Sequence, residues 1–445
     1  MRMLFIVLIW VLATSDILDK EFSLGPGLSA KNALLYIIAF VMFFRTALSG
    51  GGLKLRLPVL HAAFAAWIFY AGLSFMACCL VVHYASYNML LSGMELKAEL
   101  IDTALFCFTV FYGVQGESDF RKVNAALAAA IGLSSILTLL DVAGVAHIGV
   151  RVGTSGAEAD RVFGVFGHAN ETGALLVCLL PMLIAVALSA RGPVRVAWFA
   201  GVLASVAVLV LTVSRGAFVG VVVGYGGACF LCRRYLPLSR VATWAVSATG
   251  AAIVLGALIM LVMPDGVNVV ADRLFGHSTL GISEMSSGRT NVWSMTVGQM
   301  VSEPATLLTG FGWNVQEQRF VYATHNYYLN LWYNLGLFGL GAFVIILYQC
   351  VATARRAAQF ASADMRRYMI AFVFGVLGMA TAVFFTNLSK PWPYIWIYIG
   401  LTLRAAVEVL DGAESASASA PQPLSAAAQY RRLVRSSQRS ATGAL

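Results

Sequence analysis

Three arginines and a histidine carry the chemistry this sequence can do. His325 heads the run "ATHNYYLNLW", just where an apolar stretch begins, and Asn326, Tyr327 and Tyr328 set polar atoms beside it. Imidazole is the side chain whose ordinary pKa suits general-base work near neutrality. Arg215 stands in "LTVSRGAFVG", Arg289 in "SSGRTNVW" and Arg161 in "DRVFGVFGHAN". A guanidinium fork matches phosphate oxygens in bidentate fashion. An arginine for an anionic leaving group and a histidine for an acceptor hydroxyl together describe a transfer reaction.

The elements that must position these residues are membrane spans. The chain has 445 residues, 59% hydrophobic and 11% charged, against a usual charged share of roughly 25%. Apolar runs of about 20 residues recur at twelve places, centred near residues 10, 38, 70, 107, 133, 180, 203, 223, 252, 337, 376 and 399. The expected fold is therefore all-α and polytopic, with about twelve transmembrane helices. The opening "MRMLFIVLIWVLATSDILDK" has the look of a signal peptide, but the spans that follow favour an uncleaved first helix. With the N-terminus in the cytoplasm, twenty of the thirty Lys and Arg residues fall inside, and both termini lie there. Two outer segments are long, about 147–167 and about 264–322, and a connection as long as the second needs a job. Within it, "GRTNVWSMTVGQMVSE" has apolar residues at roughly helical spacing. Residues 1–412 form the membrane domain, and 413–445, Ser/Ala-rich and then basic, read as a disordered cytoplasmic tail that touches anionic lipid. No basic cluster on a soluble face suggests nucleic acid. The seven cysteines, Cys229 and Cys232 of a CxxC included, read as small packing residues.

This topology puts Arg161, Arg215, Arg289 and His325 on the outer face, where positive charge is selected against. Each has a plain alternative: an arginine reaching for lipid phosphate, or a histidine that only finds a hydrogen-bond partner. Arg215 is followed by Gly216, Gly220 and Gly224, a small-residue stripe that admits a neighbouring helix closely. That turns the arginine toward protein and asks for an anion. The outer loops hold no DxD and no tight carboxylate cluster; Asp16 and Asp19 read as a helix-end pair. A divalent ion wants several oxygen ligands, so the expected chemistry uses no metal and no cofactor.

With these residues in hand, the chain resembles the bacterial O-antigen ligase and polymerase superfamily of integral membrane glycosyltransferases. "RVFGVFGHANETGALL" resembles its G-x-F-x-x-x-N segment, "LTVSRGAFVG" its S-R-[GA] helix mouth, and "SSGRTNVW" with "LLTGFGWN" its outer loop with an Arg and a G-x-G. "THNYYLNLWYNLGLFGLGAFV" is similar to its H-N-x-x-L span. The likeness covers about residues 150–350; "EPATLLTGFG" departs from the family's P-x-x-G-x-G by a longer spacing after Pro304. The resemblance implies a glycan donor on undecaprenyl diphosphate, handed on at the periplasmic face of the inner membrane. It makes Arg215 and Arg289 diphosphate binders, His325 the base, and Arg161 a third anion contact. His168, Asn170 and Asn326 fall in its motifs as further donor or glycan contacts. The acceptor decides between a ligase (lipid A core), which is favoured slightly, and a repeat-unit polymerase (the growing glycan). A protein O-oligosaccharyltransferase usually brings extra outer mass. A transporter would show paired halves and charges at mid-membrane.

Overall fold

The computed structural model describes residues 1–18, 22–25, 27–48, 55–82, 84, 87–146, 151–152, 161–236, 289–319 and 323–419. A backbone crossing hydrocarbon must satisfy its own N–H and C=O groups, and a helix does this within one segment. Helices accordingly occupy every apolar run in the described residues. They are α1 (Arg2–Ile17), α2 (Ala30–Leu48), α3 (Pro58–Ala77), α4 (Met89–Leu96), α5 (Asp102–Gly113), α6 (Gly116–Val142), α7 (Ala169–Ser189), α8 (Gly192–Leu211), α9 (Arg215–Val219) and α10 (Tyr225–Leu231). After a break come α11 (Arg289–Ser302), α12 (Thr306–Thr309), α13 (Val315–Arg319), α14 (Tyr327–Phe360), α15 (Ala363–Ala382) and α16 (Trp392–Ser419). Single π-helical turns follow α3 (Cys78–Val82), join α4 to α5 (Lys97–Ile101) and join α9 to α10 (Gly220–Gly224). Two short antiparallel pairs, β1 (Ser23–Gly25) with β2 (Leu28–Ser29) and β3 (Arg151–Val152) with β4 (Val162–Gly164), lie between helices.

The chain is thus an all-α polytopic membrane protein. Among the described residues, seven helices are long and apolar enough to cross a membrane. The expected span near residue 252, and the first part of the long outer loop up to residue 288, lie outside the described residues. The helix expected within that loop is α11. One boundary moves: α16 runs on through Ser419, past the expected tail start at 413. Ser415 and Ser417 return their hydroxyls to the carbonyls of Asp411 and Glu414, both at 2.8 Å, so this Ser/Ala stretch continues the helix.

Helices in lipid associate by close fit, because the surroundings are as apolar as the contacts. α15 packs on α7 and α14, α16 on α5, α6 on α8, and α14 also on α3. The glycine stripe after Arg215 lies against α15: a Cβ added at Gly220 would come 2.7 Å from the carbonyl oxygen of Gly378. Cys107, Cys178 and Cys350 are buried free thiols within the bundle, as small packing residues should be. α1 buries Phe5, Leu8, Ile9, Leu12 and Ala13 and packs on α6 and α2. Asp16 accepts a hydrogen bond from the Tyr394 hydroxyl at 2.6 Å; Asp19 lies outside the described residues.

α14 is broken at Gly336, whose φ of 60° and ψ of −164° are not helical. The break frees the carbonyls of Tyr333 and Asn334, which accept from the backbone N–H groups of Phe311 (2.8 Å) and Gly312 (3.0 Å). The segment "TGFGWN" is thereby docked on the broken span. A Cβ at Gly336 would collide with the Leu308 carbonyl, and its conformation is one that essentially only glycine adopts, at a cost to others on the order of 1–3 kcal/mol. Gly336→Ala is therefore expected to lower the thermal midpoint of the purified protein by several degrees. A midpoint equal to wild type would contradict the kink.

Candidate active site

The site is built where several helices begin. α7 starts at Ala169 with His168 as its cap: Nδ1 accepts from the Asn170 N–H at 3.3 Å. Asn170 Oδ1 accepts from Arg161 Nη2 at 2.6 Å, and Arg161 Nε donates to the Thr212 carbonyl at 3.0 Å. Arg161 is 2% exposed. Its described bonds run to a carbonyl and an amide, so it ties the start of β4, the mouth of α7 and the turn before Arg215 into one unit. Asn170 keeps its Nδ2 buried without a partner among the described residues.

Arg215 is the first residue of α9, and Ser214 caps that helix by accepting from the Ala217 N–H at 3.3 Å. The chain reaches this cap through Val213, whose φ is +45°. A β-branched residue in the left-handed region is a conformational outlier, and such strain persists only where the surroundings impose it. Thr212, one residue earlier, is the carbonyl that Arg161 holds. The buried clamp and the strained residue together fix where Arg215 leaves the turn. Arg215 itself is half-buried.

The same device recurs at the other helix mouth. His325 has φ +47°, and the next residue, Asn326, caps α14 by accepting from the Leu329 N–H at 3.0 Å. The Asn326 side-chain oxygen is thus engaged by its own helix. Trp293 of α11 donates from Nε1 to the Thr324 carbonyl at 2.7 Å, which joins α11 to the His325 turn. Arg289, at the head of α11, donates from Nη1 to the Phe385 carbonyl at 2.8 Å.

Phe385 belongs to the connection between α15 and α16, residues 383–391, which links all these pieces. Val383 accepts from the Tyr327 N–H at 2.9 Å. A Cβ at Gly216 would press on Phe385. Ser389 donates from its backbone N–H and from Oγ to Glu171 Oε2, each at 3.2 Å, and the Lys390 side chain lies against Gly167. The structure thus brings the Arg161–His168–Asn170 group, the Arg215 turn, Arg289 and the His325–Asn326 turn to one end of the bundle. Sequence reading passed over the 383–391 connection, although Lys390 is one of the ten outer basic residues and "TNLSK" is a polar interruption between spans. It also passed over Glu171. At the opposite end the basic residues pair locally, as Arg121 with Glu117, Arg367 with Asp364 and Arg404 with Glu408.

The N-terminal ends of α7, α9, α11 and α14 meet at this end. Free N–H groups and the helix dipole make such ends favourable to negative charge. The guanidinium groups of Arg215 and Arg289 and these helix starts suit an anionic group, and His325 stands at the neighbouring helix mouth. No curated protein matches the chain. Residues 199–344 match the family model described as O-antigen ligase. That stretch contains Arg215, Arg289, His325 and Asn326, and over it the chain is similar to the O-antigen ligase family.

Proposed function

We propose that the chain is an inner-membrane glycosyltransferase that moves a glycan from undecaprenyl diphosphate to a sugar acceptor at the periplasmic face, acting as an O-antigen ligase on lipid A core. The observation that carries this reading is the pair of strained turns at Val213 and His325, which hold Arg215 and His325 at one end of the bundle beside Arg289. Both termini are cytoplasmic in this reading, which leaves the site in the periplasm. Arg215 and Arg289 bind the donor diphosphate, and Arg161 shapes their pocket from behind. His325 takes the proton of the acceptor hydroxyl. The acceptor oxygen then bonds to the anomeric carbon as the carbon–oxygen bond to diphosphate breaks, and the configuration inverts. The leaving diphosphate takes its charge to the arginines, and the reading asks for no metal.

Gel analysis of surface glycan after chromosomal deletion tests this. The expected result is loss of all polymer on lipid A while lipid-linked polymer accumulates. Single repeats remaining on lipid A would instead identify a repeat-unit polymerase, and an unchanged glycan pattern would remove the transferase reading.

A further inference from the structure

α11 brings more than Arg289 to the site. One turn after Arg289, Trp293 reaches the residue that precedes His325: its Nε1 donates to the Thr324 carbonyl at 2.7 Å. Thr324 is fully buried, and its hydroxyl donates to the Asn326 carbonyl at 3.3 Å. Further along α11, the Gln299 amide and the Tyr333 hydroxyl of α14 are hydrogen-bonded at 2.7 Å. The helix is thereby fastened to the first turns of α14 near both of its ends. Its first residue, Arg289, is held in turn by the Phe385 carbonyl at 2.8 Å.

The carbonyl that Trp293 holds belongs to the peptide plane leading into His325. The φ angle of His325 is the rotation out of that plane, and it stands at +47°. A residue other than glycine seldom adopts this region, and it stays there only where its surroundings impose it. After His325 the turn is held by the Asn326 cap and by the Tyr327 N–H, which donates to the Val383 carbonyl at 2.9 Å. Trp293 acts before His325 and so fixes the other side of the rotation that aims the imidazole. A tryptophan at a membrane face ordinarily anchors its helix with the indole N–H toward water or headgroups. Here the N–H is directed at the carbonyl of a buried residue instead.

We propose that Trp293 is a positioning residue for His325: its indole N–H sets the peptide plane from which the imidazole is presented, and α11 thereby holds the base at a fixed place relative to Arg289. Residues four apart on a helix share a face, so the anion-binding guanidinium and the indole that holds the base move as one body. A general base must stand within hydrogen-bond reach of the proton it takes, and a misplacement of about 1 Å can cost about 10²-fold in rate. Trp293 takes no part in the bond changes; its effect passes through His325.

The proposal rests on the transferase reading for the role of His325, so the test reads the turn separately from transfer. Trp293→Phe keeps an aromatic ring and removes the N–H. In single-turnover transfer by full-length protein in lipid nanodiscs, it is expected to lower the rate at saturating donor about 10–100-fold. The half-saturating concentration of lipid-linked donor should stay within about twofold of wild type. In the His325→Asn background the same substitution should change the rate by less than about twofold, because no base is left to position. A tryptophan that only supports the fold would lower the rate by one factor in both backgrounds. Hydrogen–deuterium exchange reads the turn without substrate. The amides of Tyr327, Leu329 and Asn330, each hydrogen-bonded in the intact turn, should exchange about 10-fold faster in Trp293→Phe, by local opening. Should Trp293→Phe fail to elute as wild type, a benzothienyl amino acid at position 293, which keeps the fused ring and has sulfur for N–H, decides in its place. A wild-type rate in the variant, equal losses in both backgrounds, or unchanged exchange at these amides overturns the proposal. Absence of transfer by the wild-type preparation would overturn the transferase reading instead, while the exchange rates still decide whether Trp293 holds the turn.

Discussion

His325→Asn is expected to lower glycan transfer about 10²–10⁴-fold, the usual worth of a general base, while binding of the lipid-linked donor persists. Asparagine is the informative replacement because His325 sits at φ +47°, and asparagine tolerates the left-handed region better than most residues. The turn into α14 and the Asn326 cap are then kept while the base is lost. His325→Ala removes both. If His325→Asn transfers glycan at near the wild-type rate while His325→Ala fails, the residue serves the turn and not the reaction. The measurement is single-turnover transfer on donor-saturated protein, so that chemistry is read apart from binding.

Arg215→Lys is the second large effect. Lysine keeps the charge but presents a point charge in place of a planar fork. Loss of one charge-assisted hydrogen bond, at about 1.5–3 kcal/mol, corresponds to roughly a 10–100-fold lower kcat/KM. The neighbouring turn should be intact, because Ser214 caps α9 through its own hydroxyl and Arg161 holds the Thr212 carbonyl. A wild-type kcat/KM for Arg215→Lys, measured with a diphosphate-linked donor, would show that bidentate contact is not used there. Arg289→Lys differs in kind, since Arg289 also donates to the Phe385 carbonyl. Its loss would loosen the 383–391 connection as well as the anion contact.

Much of this was legible in the chain because hydrocarbon imposes one rule on every span. Hydropathy located the helices within the described residues, and the spacing in "GRTNVWSMTVGQMVSE" anticipated α11. The glycine stripe after Arg215 anticipated close packing, though not that Gly378 of α15 would be its partner. Arg215, Arg289 and His325 are candidates from type and placement in the chain, and the structure brings their helix mouths to one end of the bundle. What holds them was not legible. Nothing in "LTVSRG" shows that Val213 adopts a left-handed backbone, since β-branched residues avoid it; the conformation is imposed by the surrounding fold. Arg161 reads as one more outer cation, and only its bonds to Thr212 and Asn170 show it as a buried clamp. Asn326 reads as a ligand contact, but its oxygen caps α14.

The most direct test of the account is transfer by the purified chain in liposomes carrying undecaprenyl-diphosphate-linked glycan and a lipid A core acceptor, with released undecaprenyl diphosphate and product quantified by mass spectrometry. The account predicts one undecaprenyl diphosphate released for each glycan transferred by wild type, also with EDTA present, and neither product from Arg215→Ala or His325→Asn above a few per cent of that rate. Equal turnover by wild type and both variants, or glycan arriving on the acceptor with its diphosphate still attached, would contradict it.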